Sequence, residues 1–241
     1  MRTILSTIAL FSLCGLFAQE YVPSHGRELP RGELLVYPSA EAAAAADGGD
    51  NRYFTRLTEW NRQDNVFSTD FTVPFAWANR QVLFHLGWAS GDYEVRVNGR
   101  PAAYNADGNT PAEFNLTKLV KEGRNSLEIV IAQPSPTAPL ESWKEAPQPA
   151  IGKAWVMSQP TLYIRDVVTR TRLAEDGSGT AEVAVVLKSN ALNPRTSRIH
   201  YELLTPTGER AAAGHKDFTL DMRREDTLRF LTRIPTNMLW S

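Results

Sequence analysis

The stretch YEVRVNGRPAAYNADGNTPAEFNLTKLVKEGRNSLEIVI, residues 93–131, determines how this chain is expected to fold. From Tyr93 to Val97 apolar and polar residues alternate, which is typical of a strand with one face against a core. Asn98 and Gly99 follow, and both tolerate the positive backbone angle φ that a tight hairpin turn requires. The stretch ends in a second alternating run. It therefore predicts a β-hairpin followed by a further strand.

The same alternation continues on both sides of this stretch and is interrupted by turn residues. Before it lie the runs NVFSTDFTV and RQVLFHLGW, and after it lie TLYIRDVVTRTRLA, AEVAVVLKSN, RIHYELL and DTLRFLTRI. Short antiparallel strands joined by polar turns predict an all-β fold built from sandwiches. The later strands are of immunoglobulin type by their pattern, although the residues left for them are fewer than the ~100 that are usual in that fold.

Two short helices are expected beside the strands. Ser39 can cap a helix formed by the alanines of SAEAAAAADGG, and Gly48 can end it. The run NLTKLVKEG predicts a second helix, capped by Asn115 or Thr117 and ended by Gly123. Neither helix changes the expected all-β class.

The N-terminus has the features of a cleavable secretory signal peptide. Residues 1–18 contain one positive charge at Arg2 and then an apolar run, and Ala18 supplies a small residue at the expected cut. The segment is too short and too polar at its flanks to span a bilayer, so we expect a secreted or periplasmic protein without a membrane span. Cys14, the single cysteine, lies in this segment, so neither disulfides nor thiol catalysis are expected in the mature chain.

The composition argues against several classes of partner and cofactor. The 241 residues are 42% hydrophobic with a net charge of -1, and no basic stripe indicates a nucleic-acid partner. The histidines lack the spacing of metal ligands, so no metal and no cofactor are expected. His85 and His200 are expected to fill strand positions, one in or beside the core and one at the surface. Neither a G-x-S-x-G motif nor a phosphate-binding loop is present.

Loop carboxylates and tryptophans are the remaining candidates for chemistry. The acids are Asp64, Asp92, Asp107, Glu113, Glu141 and Glu145. A glycosidase needs two carboxyl groups about 5 Å or about 6.5–9.5 Å apart, and nothing in the sequence brings two of these together. The tryptophans that could stack on a sugar are Trp60, Trp77, Trp88, Trp143 and Trp155. Core packing is the simpler interpretation for most of them, whereas Trp143 lies in a proline-rich stretch away from any strand.

Several motifs occur in an order that resembles the N-terminal part of family 2 glycoside hydrolases, with the closest likeness to bacterial β-galactosidases. The motifs are PRGELLVYPSAEAAAAA, FTVPFAW, YEVRVNGRP, NTPAEFNLTKLVKEGRNSLEIVI and LYIRDV. The most specific piece, TPAEFNLT, is similar to the family's P-A-E-F-D-[IL]-T. The resemblance covers roughly residues 28–241.

The resemblance implies an order of domains. After an extended lead-in with a short helix over residues 19–52, it implies a jelly-roll, galactose-binding-like sandwich over residues 53–164. An immunoglobulin-like sandwich over residues 165–241 follows and is expected to be truncated before its last strand. In the family, a (β/α)₈ barrel of ~250 residues then carries the catalytic glutamates. No Asn-Glu pair of the family's acid/base motif occurs here, so no catalytic residue is expected and the chain alone is predicted to be inactive.

The resemblance also implies contacts with a sugar. The family's first domain lends an asparagine from a D-N-P-x-G-x-Y segment to the galactose pocket, and Asp64 and Asn65 match its first two residues with the P-x-G part deleted. It lends an aspartate from L-E-D-Q-D-[MF]-W, of which the segment beginning LESW keeps Glu141 and loses the aspartate. Together with Trp143, these three residues are the candidate carbohydrate-binding residues.

Three functions stay open at this point. The chain could be the non-catalytic N-terminal region of a secreted β-galactosidase-like enzyme. It could be a stand-alone module that binds a β-galactoside-type carbohydrate. It could also be the assembly partner of a separately encoded catalytic barrel, joined through the exposed edge of its unfinished sandwich. In each case residues 93–131 are expected to be scaffold, with Glu113 as a structural support and not a proton donor.

Overall fold

The computed structural model describes residues 24–45, 51–133, 148–175, 177–205 and 207–234. Over these residues the chain consists of antiparallel strands, one short α-helix and one 3₁₀ turn. The fold is therefore all-β, as the alternating sequence predicts. None of the helical segments in this described part is long and apolar enough to cross a bilayer.

Among the described residues, nine strands form the two sheets of the first sandwich. They are β1 (Phe54–Arg56), β2 (Asn61–Gln63), β3 (Val66–Val73), β4 (Gln81–Leu86), β5 (Tyr93–Val97), β6 (Arg100–Asn105), β7 (Ala112–Asn115), β8 (Gly123–Ile131) and β9 (Ala154–Gln159). One sheet has the order β1-β9-β4-β7, and the other has the order β2-β3-β8-β5-β6. Neighbours such as β3 and β8 are far apart in sequence, so the chain crosses repeatedly between the sheets, as it does in jelly-roll sandwiches.

The predicted hairpin is present between β5 and β6. Val97 and Arg100 are the last paired residues, which leaves a two-residue turn. Asn98 and Gly99 have φ values of 51° and 72°, the left-handed conformation that their residue types permit. The Asn98 side-chain oxygen also accepts a hydrogen bond of 3.1 Å from the backbone N–H of Ser126, which ties the turn to β8.

The inward faces of the two sheets enclose one hydrophobic core. Tyr93, Val95 and Val97 point inward from β5, and Leu127 and Ile129 point inward from β8. All five are fully buried, as the period of two requires. Each such side chain contributes roughly 1.5–3 kcal/mol through burial, so this core supplies most of the stability of the first sandwich.

The first helix prediction is confirmed for the presence and the start of the helix, whereas Gly48, the residue expected to end it, lies outside the described residues. Helix α1 spans Ala40–Ala44. The Ser39 hydroxyl accepts a hydrogen bond of 3.2 Å from the backbone N–H of Ala42, which is the capping contact that the sequence indicates.

The second helix prediction, for the run after Asn115, is wrong. Strand β7 continues to Asn115 by pairing with β4, and residues 117–119 form only a turn. Because β8 already begins at Gly123, too few residues remain for a stable helix. Asn115 still caps this turn, since its side-chain oxygen accepts from the backbone N–H of Thr117 at 3.2 Å.

The second sandwich contains five long strands among the described residues. They are β10 (Leu162–Leu173), β11 (Gly179–Ser189), β12 (Arg195–Leu204), β13 (Arg210–Leu220) and β14 (Glu225–Ile234). Strands β10, β11 and β14 form one sheet, and β12 and β13 form a two-stranded sheet. The predicted domain boundary after residue 164 falls inside β10, where the pairing with β11 shifts between Ile164 and Asp166. The expected lack of a last strand concerns residues beyond Ile234, which lie outside the described ranges.

Candidate functional site

Two of the four predicted carbohydrate-binding residues lie in the turn between β2 and β3. Asp64 has a φ of 52° and an exposed side chain. Asn65 is half-buried, and its side-chain amide donates a hydrogen bond of 2.5 Å to the carbonyl oxygen of Ile131, at the end of β8. The backbone N–H of Ile131 donates to the carbonyl oxygen of Asn65 at 2.9 Å. Asn65 is therefore held rigidly where β8 leaves the sheet.

The other two predicted residues, Glu141 and Trp143, lie outside the described residues. The same holds for Glu145, the neighbouring candidate acid. The sugar contact expected of these residues and of Asp64 and Asn65 therefore stays a prediction.

A different group of polar side chains meets on the four-stranded sheet. His85 on β4 is paired in register with Glu113 on β7 and with Trp155 on β9, so three neighbouring strands place these residues side by side. The His85 and Trp155 rings stack with their centroids 3.7 Å apart and their planes 5° apart. His85 Nδ1 lies 3.7 Å from Glu113 Oε1. Both rings are nearly buried. His200 on β12 is exposed, so one of the two histidines lies in the core and the other at the surface, as predicted.

Arg31, from the segment before α1, completes this group. Its Nε and Nη2 donate to the two oxygens of Glu113 at 2.7 and 3.1 Å, which is a bidentate ion pair. The side chains of Arg31 and Glu113 are only 7% and 11% exposed. Arg31 Nη1 also donates to the carbonyl oxygen of Arg165 at 3.3 Å, so the same guanidinium joins the first sandwich to β10.

The charge state of Glu113 decides what this group can do. Burial alone would raise the pKa of Glu113, but the His85 and Arg31 side chains outweigh it, and the net effect is a pKa below the ordinary value of 4.5. Glu113 is therefore an anion at neutral pH, and both of its carboxylate oxygens accept hydrogen bonds from Arg31. A general acid for glycoside cleavage must instead carry a proton, so Glu113 is suited to support the scaffold.

Some polar atoms of this region have no hydrogen-bond partner among the described residues. They are both ring nitrogens of His85, the indole nitrogen of Trp155 and Nε of Arg27. Arg27 is otherwise well held, since its guanidinium donates to the side chains of Asn105 and Thr110 at 3.3 and 3.1 Å. Among the described residues, no group of three potential ligands is placed to hold a metal ion.

The tryptophans with described positions fall into two classes. Trp77 and Trp155 are buried, as the core-packing interpretation predicts. Trp88 is 44% exposed and lies against Gly152, where an added Cβ would come within 2.3 Å of its ring. Trp60 is half-buried at the margin of a polar groove on the five-stranded sheet. Trp60 and Trp88 are therefore the tryptophans of this part of the chain that could meet a ligand.

Sequence reasoning missed the group formed by Arg31, His85, Glu113 and Trp155. Glu113 lies 82 positions from Arg31, and no local pattern signals a contact over that separation. The alternation around Glu113 shows only that it points away from Phe114. Only a weak indication of this group is present in the sequence: an arginine in a turn-rich segment, and an acidic residue between two apolar residues.

Comparison with known proteins finds a family model that matches most of the first sandwich. Residues 57–160 match the family model described as "Glycosyl hydrolases family 2, sugar binding domain". The β-galactosidase of Priestia megaterium is 26% identical over 166 residues, which cover 65% of this chain and 15% of that enzyme. The β-galactosidase of Lactococcus lactis is 29% identical over 147 residues, which cover 59% of this chain and 13% of that enzyme. The chain thus spans only a small part of these relatives.

Solved structures show the same fold at lower sequence identity. A glycosyl hydrolase family 2 member from Bacteroides cellulosilyticus has a TM-score of 0.64 at 15% identity, over 73% of this chain and 24% of that one. A β-glucuronidase from Bacteroides uniformis has a TM-score of 0.64 at 18% identity, over 73% of this chain and 22% of that one.

Fold and family match together define an all-β protein with a glycosidase-type sugar-binding sandwich. The resemblance predicted from the motifs is confirmed: residues 57–160 match the sugar-binding domain of glycosyl hydrolase family 2, and the chain is similar over part of its length to β-galactosidases and to solved structures of that family.

Proposed function

We propose that this chain is the non-catalytic N-terminal region of a secreted β-galactosidase-type enzyme, in which it forms one wall of a galactoside pocket that a catalytic barrel completes. The observation that carries this proposal is the match of residues 57–160 to the sugar-binding domain, together with β-galactosidase relatives of which the chain spans 10–15%. The rigid attachment of Asn65 to β8 supports a role as a fixed contact at the edge of such a pocket.

The described carboxylates support the non-catalytic part of the proposal. Retaining glycosidases need a protonated acid and a nucleophile about 5 Å apart. Glu113 is held as an anion by Arg31. Asp92 is buried and accepts a hydrogen bond of 2.8 Å from the Tyr104 hydroxyl. Asp64 lies exposed on a turn, so none of these three has the setting of a catalytic acid.

A turnover assay tests this function. The purified chain is incubated with nitrophenyl β-galactoside, and the Lactococcus lactis β-galactosidase serves as the active control. We expect no release of nitrophenol above the blank. Turnover by the chain alone that disappears in a Glu113→Gln or Glu141→Gln variant would overturn the proposal.

A specific surface favours the second candidate, assembly with a separately encoded barrel. Strand β10 lies at the edge of its sheet, and Val167 and Val168 on it are 41% and 40% exposed. An apolar edge strand can pair with another chain. Co-expression with a tagged barrel polypeptide of a family 2 β-galactosidase tests this candidate. Co-purification that a Val168→Lys change abolishes would support it, and no co-purification would count against it.

The secreted state is a proposal as well, and it is supported by the signal-like residues 1–18. Expression of the full gene product in a bacterial host should place the chain in the periplasm or medium. Mass spectrometry should show a product shortened near Ala18. Full-length protein confined to the cytoplasm would contradict this.

A further inference from the structure

The outer face of the five-stranded sheet carries the polar groove beside Trp60, which lies apart from Asn65 and from the group formed by Arg31, His85, Glu113 and Trp155. Three neighbouring strands, β2, β3 and β8, form its floor. The groove has a volume of about 530 Å³. The lining side chains that matter for its chemistry are Trp60, Asn61, Ser68, Asp70, Ser126 and Glu128.

Strand register explains why these side chains share one face. Ser68 on β3 is paired with Asn61 on β2 and with Glu128 on β8, which gives a row across three strands. Asp70 is paired with Ser126 and gives a second row. Leu127, between Ser126 and Glu128 on β8, is buried, and so are Phe67 and Phe71, which flank Ser68 and Asp70 on β3. The polar side chains of these two rows therefore lie on the outward face.

Trp60 closes one end of the groove and is held in place. Its indole N–H donates a hydrogen bond of 3.0 Å to the carbonyl oxygen of Leu57, and the ring packs against the hydrophobic core while remaining half-buried. A ring fixed in this way loses little conformational entropy on binding a ligand. It offers an apolar surface next to a set of polar groups, which is the combination that an amphipathic ligand needs.

The polar groups of the groove have free hydrogen-bonding capacity. Within the described residues, no hydrogen bond joins the side chains of Asn61, Ser126 or Glu128 to another residue. Asp70 is paired with Arg124 at 2.6 Å and is largely neutralised. An amide, a hydroxyl and a carboxylate together can both donate to and accept from the hydroxyl groups of a ligand.

We infer that this groove is a binding site for a neutral oligosaccharide, separate from the proposed galactoside pocket. The sugar rings stack on Trp60, and their hydroxyl groups bond to Asn61, Ser126 and Glu128. Glu128 interacts electrostatically with Arg96 on β5, and Glu59 adds a second carboxylate to the lining. These carboxylates disfavour acidic sugars such as uronates, so the ligand is an uncharged hexose chain. Only the choice of a sugar as ligand rests on the function proposed above.

Affinity electrophoresis of the intact chain in gels that contain a neutral galactan tests the inference. Wild-type protein should be retarded, and polygalacturonate should retard it much less. Trp60→Ala and Asn61→Ala should each weaken retention by about tenfold, the loss expected for one stacking or hydrogen-bonding contact. Because Trp60 also contacts the core, Asn61→Ala and Glu128→Ala test the groove with surface changes only. Trp88→Ala removes an exposed tryptophan elsewhere and is the matched control.

The outcomes separate this inference from the proposed function. The inferred groove site would be overturned if wild-type protein were not retarded, or if Asn61→Ala and Glu128→Ala proteins were retarded as strongly as wild type. Either result would leave the proposed function untouched. Hydrolysis of nitrophenyl galactoside by the chain alone would overturn the proposed function and leave the groove untouched. If the Trp88→Ala control lost as much retention as the groove variants, the groove would not be the specific binding site, and the inference would be overturned.

Discussion

At the scale of single residues, the ion pair between Arg31 and Glu113 differs from the surface ion pairs because both of its side chains are nearly buried. It is bidentate and nearly buried, whereas the pair between Arg124 and Asp70 has a similar shortest distance, 2.6 Å, at the surface. Removal of one partner from a buried pair leaves an uncompensated charge and costs roughly 3–5 kcal/mol, whereas exposed pairs are worth about 0–1 kcal/mol.

Arg31→Met should therefore lower the free energy of unfolding by roughly 3 kcal/mol. The matched change Arg124→Met should lower it by less than about 1 kcal/mol. Urea unfolding followed by tryptophan fluorescence measures both. If both changes lowered the free energy of unfolding equally, burial of the Arg31–Glu113 ion pair would not be the reason that Arg31 stabilises the fold.

Glu113 also predicts how stability depends on pH. Because its pKa is lower in the folded state than its ordinary value of 4.5, its ionisation stabilises the fold above that value, and this contribution is lost as the pH falls through the folded-state pKa. The urea midpoint of wild-type protein should fall between about pH 5 and pH 3, and less so for Glu113→Gln. Identical pH profiles would mean that Glu113 is not the responsible carboxyl group.

At the scale of elements, the β5–β6 hairpin depends on the backbone conformation of its turn. Gly99 has a φ of 72°, and an added Cβ would meet nothing within 4 Å, so only backbone strain opposes a side chain there. Gly99→Ala should cost about 1 kcal/mol of unfolding free energy. Gly32→Ala is the control, because its added Cβ would make an ordinary 3.4 Å contact with Asp166. If Gly99→Ala left the free energy of unfolding unchanged, the result would contradict the backbone geometry of this turn.

The elements also show how far the sequence alone can be used. The alternation of Tyr93, Val95 and Val97 and the Asn98-Gly99 turn are local signals, and they predicted the hairpin and the all-β class correctly. The helix expected after Asn115 failed because pairing of β7 with β4 overrides the local preference of that run. Glu113 could be recognised as scaffold, but its partners are set by strand order and not by spacing.

The candidate site was less predictable for the same reason. Asp64 and Asn65 come from a motif, and the structure shows how the turn holds them but not what they bind. The groove near Trp60 depends on β2, β3 and β8 being neighbours, and β3 and β8 are separated by the 49 residues from 74 to 122. Such long-range pairing has no signature in a single sequence.

At the scale of the whole molecule, the two sandwiches have very different cores. Among the described residues, the largest buried cluster of the first sandwich has twenty-one members, whereas that of the second has five. Polar contacts join them, including Arg31 to the Arg165 carbonyl and a 3.3 Å hydrogen bond from the Gly32 N–H to Asp166. Because stability follows buried apolar surface, the second sandwich should be the less stable one.

Differential scanning calorimetry should therefore show two transitions, with the second sandwich unfolding at the lower temperature. Leu187 and Leu127 are both buried leucines, one in each core, and truncation of either to alanine should cost roughly 2–5 kcal/mol. Leu187→Ala should shift only the lower transition, and Leu127→Ala chiefly the upper one. A single transition that both changes shift equally would instead show that contacts such as those of Arg31 couple the two sandwiches into one cooperative unit.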